Sequence, residues 1–300
     1  MDLIWLDDYR ALADTLSFSR AAALRHVTQP AFSRRIRALE AWVGTPLFAR
    51  TTHSVMLTAA GEHFGDQAEI LRRALYQLRR DTLDVAGRAR SQLQIAATHA
   101  LSFTFFPAWV RRNESLLELG NLNLLSDSMS ACEQMLLRGD VQFLLCHHGP
   151  GSAGAQLGAT YLGLVVGRDV LVPLSAPGPD GGPLWRLNGT PPARYLAYSD
   201  RSGLARIVDA RWHEVDREFG LKTVFRSHLA ATLQSMVRAG EGLAWLPRTL
   251  AEDDIAAGRV VELGGPDVQI PVEIRLFRAA GRLTATAEAV WDGLNAQAEI

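Results

Sequence analysis

The stretch FSRAAALRHVTQPAFSRRIRALEAWVG, Phe18 to Gly44, constrains the fold more than any other part of the chain. Two apolar helical rhythms run through it and break once, at Val27-Thr28-Gln29-Pro30. Phe18 to His26 reads as a short helix opened by Ser17 or Ser19. Thr28 then stands where an N-cap belongs, and Pro30 falls inside the first turn, where its missing N–H costs nothing. Ala31, Phe32, Ile36, Leu39 and Val43 follow, the last four on one face, and Gly44 ends the helix. Upstream, Leu3, Leu6, Tyr9, Leu12, Ala13 and Leu16 recur at helical spacing. Downstream, Leu47 and Phe48 read as core anchors, and two small strands around Arg50 to Ser54 make a wing. Three helices and a hairpin in this order are the plan of a winged helix-turn-helix, which puts its second motif helix in the major groove.

Charge points the same way. The chain has a formal net charge of -1, yet Arg20 to Arg50 holds six arginines against the single Glu40. A local excess of that kind is where an anionic partner is sought. Other features exclude rather than assign. The two cysteines, Cys132 and Cys146, are too few for a disulfide framework in 300 residues. No apolar run approaches the roughly 20 residues that cross a bilayer. The opening MDLIWLDDYRALADT is acidic and amphipathic, unlike the basic start of an export signal, so a cytoplasmic location is expected.

Ala59 to about Gly87 reads as one helix, spanning about 40 Å at 1.5 Å per residue. Phe64, Ala68, Leu71, Leu75, Leu78 and Leu83 form a stripe too apolar to face water alone, which predicts a dimerisation helix and connector. Beyond Arg90 strands alternate with helices. LQIAAT, LNLLSD and VQFLLCHH read as strands, with helices from His99 and over Met129 to Leu137. Leu171 to Pro192, rich in Pro and Gly, reads as loop. RYLAY, KTVFRS, GLAWLP and PVEIRLF follow as strands, with helices from about Gly203, His228 and Thr284. The alternation predicts two α/β lobes around a cleft, with hinge crossings near 162–168 and 262–270.

The segment SFSRAAALRHVTQPAFSRRIRALEAWVGTPLFAR at 17–50 and LTAAGE at 57–62 resembles the LysR-type transcriptional regulators. VRAGEGLAWLP at 237–247 and AAGRVVEL at 256–263 are similar to the close of that family's effector domain. The resemblance covers the whole chain. It implies a winged helix-turn-helix at 1–58, a linker helix at 59–89 and a two-lobed α/β effector-binding domain, of periplasmic-binding-protein type, at 90–300. Lobe I would take about 90–164 and 268–300, and lobe II about 165–267. Within the family, TQPAFSRRIRALE, IAATHALS, AYS at 197–199 and GLAWLP are most similar to the hypochlorite-responsive regulators. Such regulators sense oxidant through methionine, but the matching positions here hold Leu204 and Leu229.

On this reading Arg34, Arg35, Arg37 and Arg50 meet phosphates, and free amides at Thr28 hold another. Gln29, Pro30, Ser33 and Arg34 are the expected base readers, Gln suiting adenine and Arg guanine. Arg37 could instead pair with Glu40, and Ser54 and Thr58 could hold phosphate or cap. Double-stranded DNA with near-palindromic sites is the expected partner, bound by a homodimer or homotetramer, with RNA polymerase as a further partner. The expected effector contacts lie where strands give way to helices in the cleft: Thr98, His99, Ser102, Ser126, Asp127, Ser128, Ser199, Ser202 and His228. His99 and Asp127 could equally serve as caps. The effector is a small molecule or oxidant, whose binding shifts the lobe angle. No cofactor, metal, membrane contact or enzymatic activity is expected. Two alternatives stay open: a redox sensor using Cys132 and Cys146, and a solute-binding protein built from the two lobes alone.

Overall fold

The structure, a computed structural model, describes residues 2, 4–50, 55–85, 92–113, 121–149, 161–212, 215–281 and 283–298. The chain divides into two compact units, Met1–Thr82 and Leu83–Ile300.

In the first unit, α1 (Ile4–Thr15), α2 (Phe18–Leu24) and α3 (Gln29–Val43) precede a hairpin of β1 (Phe48–Arg50) and β2 (Val55–Leu57), and α4 (Ala59–Val85) follows. Ser17 is the N-cap of α2, its hydroxyl accepting from the Arg20 N–H at 3.5 Å, and the helix stops two residues short of His26. Thr28 occupies the N-cap position of α3 without a side-chain bond, so its own carbonyl, accepting from Phe32 N–H at 2.9 Å, starts the ladder. Gly44 closes α3 at φ 86°, the left-handed region that a side chain would resist. Phe32, Ile36 and Leu39 point inward and are fully buried with Leu12 and Leu47, each worth about 2 kcal/mol of burial. Glu40 accepts from the Leu47 and Phe48 amides at 3.0 and 3.1 Å and so pins the hairpin to α3. The Thr58 hydroxyl donates to Pro46 carbonyl at 2.9 Å and accepts from Gly61 N–H at 2.9 Å, which makes it the cap of α4. Along α4, Ala68 is buried, while Leu71 and Leu78 are exposed at 51% and 62%.

The second unit is built on β3 (Gln92–Thr98), β4 (Asn121–Asp127), β5 (Phe143–His148), β6 (Tyr161–Ser175), β9 (Ala244–Pro247), β10 (Val261–Glu262) and β11 (Ile270–Ala279), with β7 (Ala193–Tyr198) and β8 (Leu221–Ser227) in a smaller sheet. The large sheet runs β10-β6-β11-β5-β3-β4, with β9 on β6. β3, β4 and β5 are mutually parallel, whereas β6 and β11 are antiparallel to their neighbours. The two long strands change partners along their length. β11 pairs with β5 only from Glu273 to Phe277, and β6 pairs with β9 only from Leu171 to Leu174. They therefore pass from one half of the sheet to the other at about residues 168–171 and 270–273. The sequence windows 162–168 and 262–270 precede these positions by a few residues.

Helices α5 (His99–Thr104), α6 (Phe106–Arg112), α7 (Met129–Arg138) and α12 (Ala285–Ala298) cover one half. The other carries α8 (Gly203–Arg211), α9 (Val215–Glu218), α10 (Ala230–Arg238) and α11 (Arg248–Ala256). The second half packs around Trp245, which is wholly buried, faces Tyr195 edge-on at 5.8 Å and donates from Nε1 to Val268 carbonyl at 2.8 Å. Three readings need correction. Leu171 to Ser175 are strand, so the loop begins at Ala176; the helix expected from His228 starts at Ala230; and α6, α9 and α11 went unread.

Candidate functional site

Of the expected DNA contacts, Thr28 at the cap and Gln29, Pro30, Arg34 and Arg37 on α3 are exposed, with Ser33 half-buried. Arg34 and Arg37 make no ion pair among the described residues, and Glu40 is engaged with the hairpin amides instead. Arg35 does not join them. Its guanidinium turns back to Asp8 of α1 at 3.4 Å, and Arg25 reaches the same carboxylate at 2.8 Å and Asp7 at 3.6 Å. Asp8 is fully buried, and a carboxylate taken out of water must be paired. Arg35 and Arg25 thus fasten α1 to the motif, which corrects the expectation that Arg35 faces outward. Arg20 is spent on the Thr15 carbonyl at 2.8 Å. Thr58 is committed to its cap. Ser54 lies outside the described residues, and Arg50 is described in its backbone only.

The second site lies between the halves of the large unit. Thr98, His99, Asp127, Ser128, Ser202 and His228 line a cavity of about 30 Å³. Strand ends supply these groups because β3 and β4 are parallel and in register, Thr98 opposite Asp127, so both helices that follow start at one edge. Ser128 caps α7, accepting from Ala131 N–H at 3.4 Å, and Ser202 caps α8, accepting from Leu204 N–H at 3.3 Å. Asp127 accepts from the Ser128 amide at 2.6 Å. Ser102 and Ser126 stand behind the site. Ser126 is hydrogen-bonded to His99 Nδ1 at 3.1 Å and to the Ser102 hydroxyl at 3.0 Å, which fixes the ring. Ser199 belongs to the turn before α8, its carbonyl accepting from Ser202 N–H at 2.8 Å.

His99 and His228 come from opposite halves, and their ring centres are 6.0 Å apart. Burial lowers the pKa of His99, Asp127 pulls it back up, and His228 presses it down again. Sequence reasoning missed His147, Met129 and Leu204, which also line the cavity. His147 sat in a Cys-His-His run that reads as metal or thiol chemistry. Its place on a strand was the available signal, since alternation sends Cys146 and His148 to the other face.

One buried polar atom of this cavity's lining, Thr98 Oγ1, has no hydrogen-bond partner among the described residues. Behind His147, Asp169 Oδ2 lies 3.5 Å from its Nε2 and accepts from the Thr249 hydroxyl at 2.6 Å. An unsatisfied buried polar atom beside a small cavity marks a place for a ligand. Across the cleft, buried Glu133 of α7 takes both arms of Arg206 of α8, at 2.6 and 2.9 Å.

Cys132 and Cys146 are buried free thiols. Burial, chiefly, pushes Cys132 up to about 12 and Cys146 higher still. Neither offers the thiolate that oxidant chemistry needs near neutral pH. Among the described residues no helix is long and apolar enough to cross a membrane.

Comparison with known proteins fits this geometry. Residues 4–62 match the profile of bacterial regulatory helix-turn-helix proteins of the lysR family, and residues 86–299 match the LysR substrate binding domain. The HTH-type transcriptional regulator YjiE of Escherichia coli (strain K12) is 29% identical over 290 residues, covering 96% of this chain and 92% of that protein. The full-length structure of HypT from Salmonella typhimurium, titled a hypochlorite-specific LysR-type transcriptional regulator, is 29% identical with a TM-score of 0.60, covering 100% of this chain and 99% of that one. Vibrio fischeri DarR, solved in complex with DNA, is 28% identical with a TM-score of 0.57, covering 98% of each chain.

Proposed function

The chain belongs to the LysR family of bacterial helix-turn-helix transcriptional regulators, and from that premise we propose how its residues divide the work. The division follows the expected boundaries, with DNA reading in 1–58, pairing in 59–89 and effector binding in 90–300. Gln29, Pro30, Ser33 and Arg34 read base edges; Thr28, Arg37, Arg50 and Ser54 hold phosphates. Arg35 contributes by holding α3 on α1, and Thr58 by starting α4. The observation that carries this assignment is the contrast between arginines consumed by Asp8 and the exposed Arg34 and Arg37, which make no ion pair among the described residues.

The effector enters between His99 and His228, beside Thr98 Oγ1, which has no hydrogen-bond partner among the described residues. A space of about 30 Å³ admits a monatomic ion or one or two waters, so an organic effector requires the halves to part. Binding then acts by preferring one lobe angle, and only differential affinity for the two angles can switch the regulator. The exposed Leu71 and Leu78 on α4 suit pairing with a second copy, as a homodimer or a tetramer of such dimers on a near-palindromic site. RNA polymerase is the partner through which a bound regulator acts.

Oxidant input is a second reading. HypT, 29% identical along the whole chain, is titled hypochlorite-specific. The resemblance implies a sensing methionine where this chain carries Leu204, but Met129 lines the same cavity from the opposite half, where oxidation of its thioether would introduce a polar oxygen against Gly203. Footprinting on the DNA upstream of its own gene, with and without hypochlorite, tests both readings. A footprint that hypochlorite alters in wild type and not in Met129→Leu supports the oxidant reading. A footprint indifferent to hypochlorite leaves the cleft to a reversible ligand, and no footprint overturns the DNA assignment.

A further inference from the structure

A second cavity, of about 280 Å³, opens inside the smaller-sheet half of the large unit, away from the cleft residues. It lies among β7, α8, α9 and β8, and no effector contact named above lines it. Its lining includes Tyr195, only 3% exposed, whose hydroxyl makes no hydrogen bond among the described residues. Beside it Trp212 buries an indole N–H that also lacks one. Four charged residues line it: Asp209, Asp216, Arg217 and Arg226. Asp209 makes no hydrogen bond or ion pair among the described residues, and Arg226 reaches only the Tyr198 carbonyl, at 3.4 Å. Asp216 is occupied differently, both of its oxygens accepting from the Thr223 hydroxyl at 2.9 and 2.8 Å.

A carboxylate and a guanidinium that share one cavity and feel each other's charge without forming a close ion pair among the described residues are complementary to a molecule with two poles. The Tyr195 hydroxyl, in the same lining, supplies a directional contact. We propose that this cavity is a second small-molecule site, for a zwitterion of amino-acid type: its ammonium on Asp209, its carboxylate on Arg226, and a hydrogen bond to the Tyr195 hydroxyl. The size fits, being at the small end of ligand pockets, which begin at about 300 Å³. Burial, with Asp209 and Asp216 nearby, keeps the Tyr195 hydroxyl protonated, and so a donor, throughout the physiological range.

The site has a route to the cleft. Helix α8 presents Ala205, Val208 and Asp209 to this cavity, and its N-terminal residues Gly203 and Leu204 to the other. Arg206, between them, holds Glu133 across the cleft. A ligand that draws Asp209 inward therefore bears on the element that fastens the two halves.

The test uses the full chain and the twenty free amino acids as probes, followed by ligand-observed saturation-transfer spectroscopy, with methylamine and acetate as single-pole controls. The expected result is binding of at least one amino acid. That binding weakens at least about tenfold, a loss of about 1.4 kcal/mol, in Asp209→Asn and in Tyr195→Phe, and is unchanged in His228→Ala. Neither control binds comparably. Tyr195→Phe removes only an unpartnered hydroxyl, so its melting temperature should match wild type and separate lost binding from lost folding. Binding that survives Asp209→Asn and Tyr195→Phe but disappears in His228→Ala belongs to the cleft and overturns the proposal. So does the absence of binding by every amino acid, or equal binding by a single-pole control. Failure of DNA binding in a parallel titration would instead count against the regulator reading and leaves this site untouched.

Discussion

Arg206 donates to both carboxylate oxygens of Glu133, at 2.6 and 2.9 Å, and through that one contact joins the helix after β4 to the helix after β7. Glu133 is 0% exposed, whereas the Arg206 side chain keeps about a quarter of its surface, at 27%. The pair spans the cleft beside the cavity of His99 and His228, so its geometry depends on how the two halves are set.

Removing one partner strands the other. Arg206→Met should cost about 3 kcal/mol or more, because it leaves a buried carboxylate without its charge partner. Adding Glu133→Gln to that variant should recover part of the loss. Urea unfolding of the two single variants and the double variant measures the coupling. Additive losses would mean that the pair holds nothing together.

The motif separates stability from DNA contact. Asp8→Asn removes the charge that Arg25 and Arg35 share and should lower the melting temperature of the DNA-binding unit. Arg37→Ala should leave melting unchanged and reduce the slope of log affinity against log salt by about 1, as one phosphate contact would. Thermal scans beside anisotropy titrations at several salt concentrations distinguish the two. Equal destabilisation by both variants would refute the division of roles.

Asp169 predicts an acid limb. Burial would raise its carboxyl pKa, but the His147 and Thr249 side chains, His147's charge and the Val170 amide together outweigh burial and hold it below the usual range. A group with a lowered folded pKa stabilises fully above its unfolded value, about 3.9, and loses that contribution as pH falls through the folded value. Asp169→Asn should therefore cost stability at pH 7, and its stability should depend less steeply on pH below about 4 than that of wild type. Denaturant midpoints from pH 7 to pH 2.5 give the two curves. Parallel curves would show that Asp169 carries no such linkage.

The buried thiols predict indifference. Cys132→Ser and Cys146→Ser should leave any peroxide response of DNA binding unchanged. Iodoacetamide should label the native chain at least about 100-fold more slowly than the urea-unfolded chain, since a thiolate is the reactive form. Fast native labelling, followed by mass spectrometry, would return the thiol reading to consideration.

The motif helices were legible because local chemistry and packing agree there: Pro30 and Gly44 punctuate α3, and Phe32, Ile36 and Leu39 keep its period. The long strand β6 was not. Gly163 and Gly167 weaken a strand pattern, and their purpose lies in distant partners: a Cβ on Gly163 would come within 2.7 Å of the Phe277 ring, and one on Gly167 within 2.6 Å of the Phe105 ring. The direction of Arg35 was equally out of reach, because helical spacing places it at the edge of the outer face and only tertiary contact with Asp8 turns it inward. Cleft residues at strand ends were readable from the βα pattern. His147 and Asp169 were not, because they meet through sheet pairing across β5, β11 and β6.

The most direct test is a fluorescence-anisotropy titration at about 150 mM salt, using DNA from upstream of the protein's own gene and a scrambled duplex of equal length. Wild type should prefer the natural sequence by about 1,000-fold or more, the lower end of the range for specific regulators. Arg34→Ala should lose at least about tenfold of that preference, the value of one bidentate base contact. Equal affinity for both duplexes, or a preference untouched by Arg34→Ala, would contradict the assignment of the helix Gln29–Val43 as the reader of sequence.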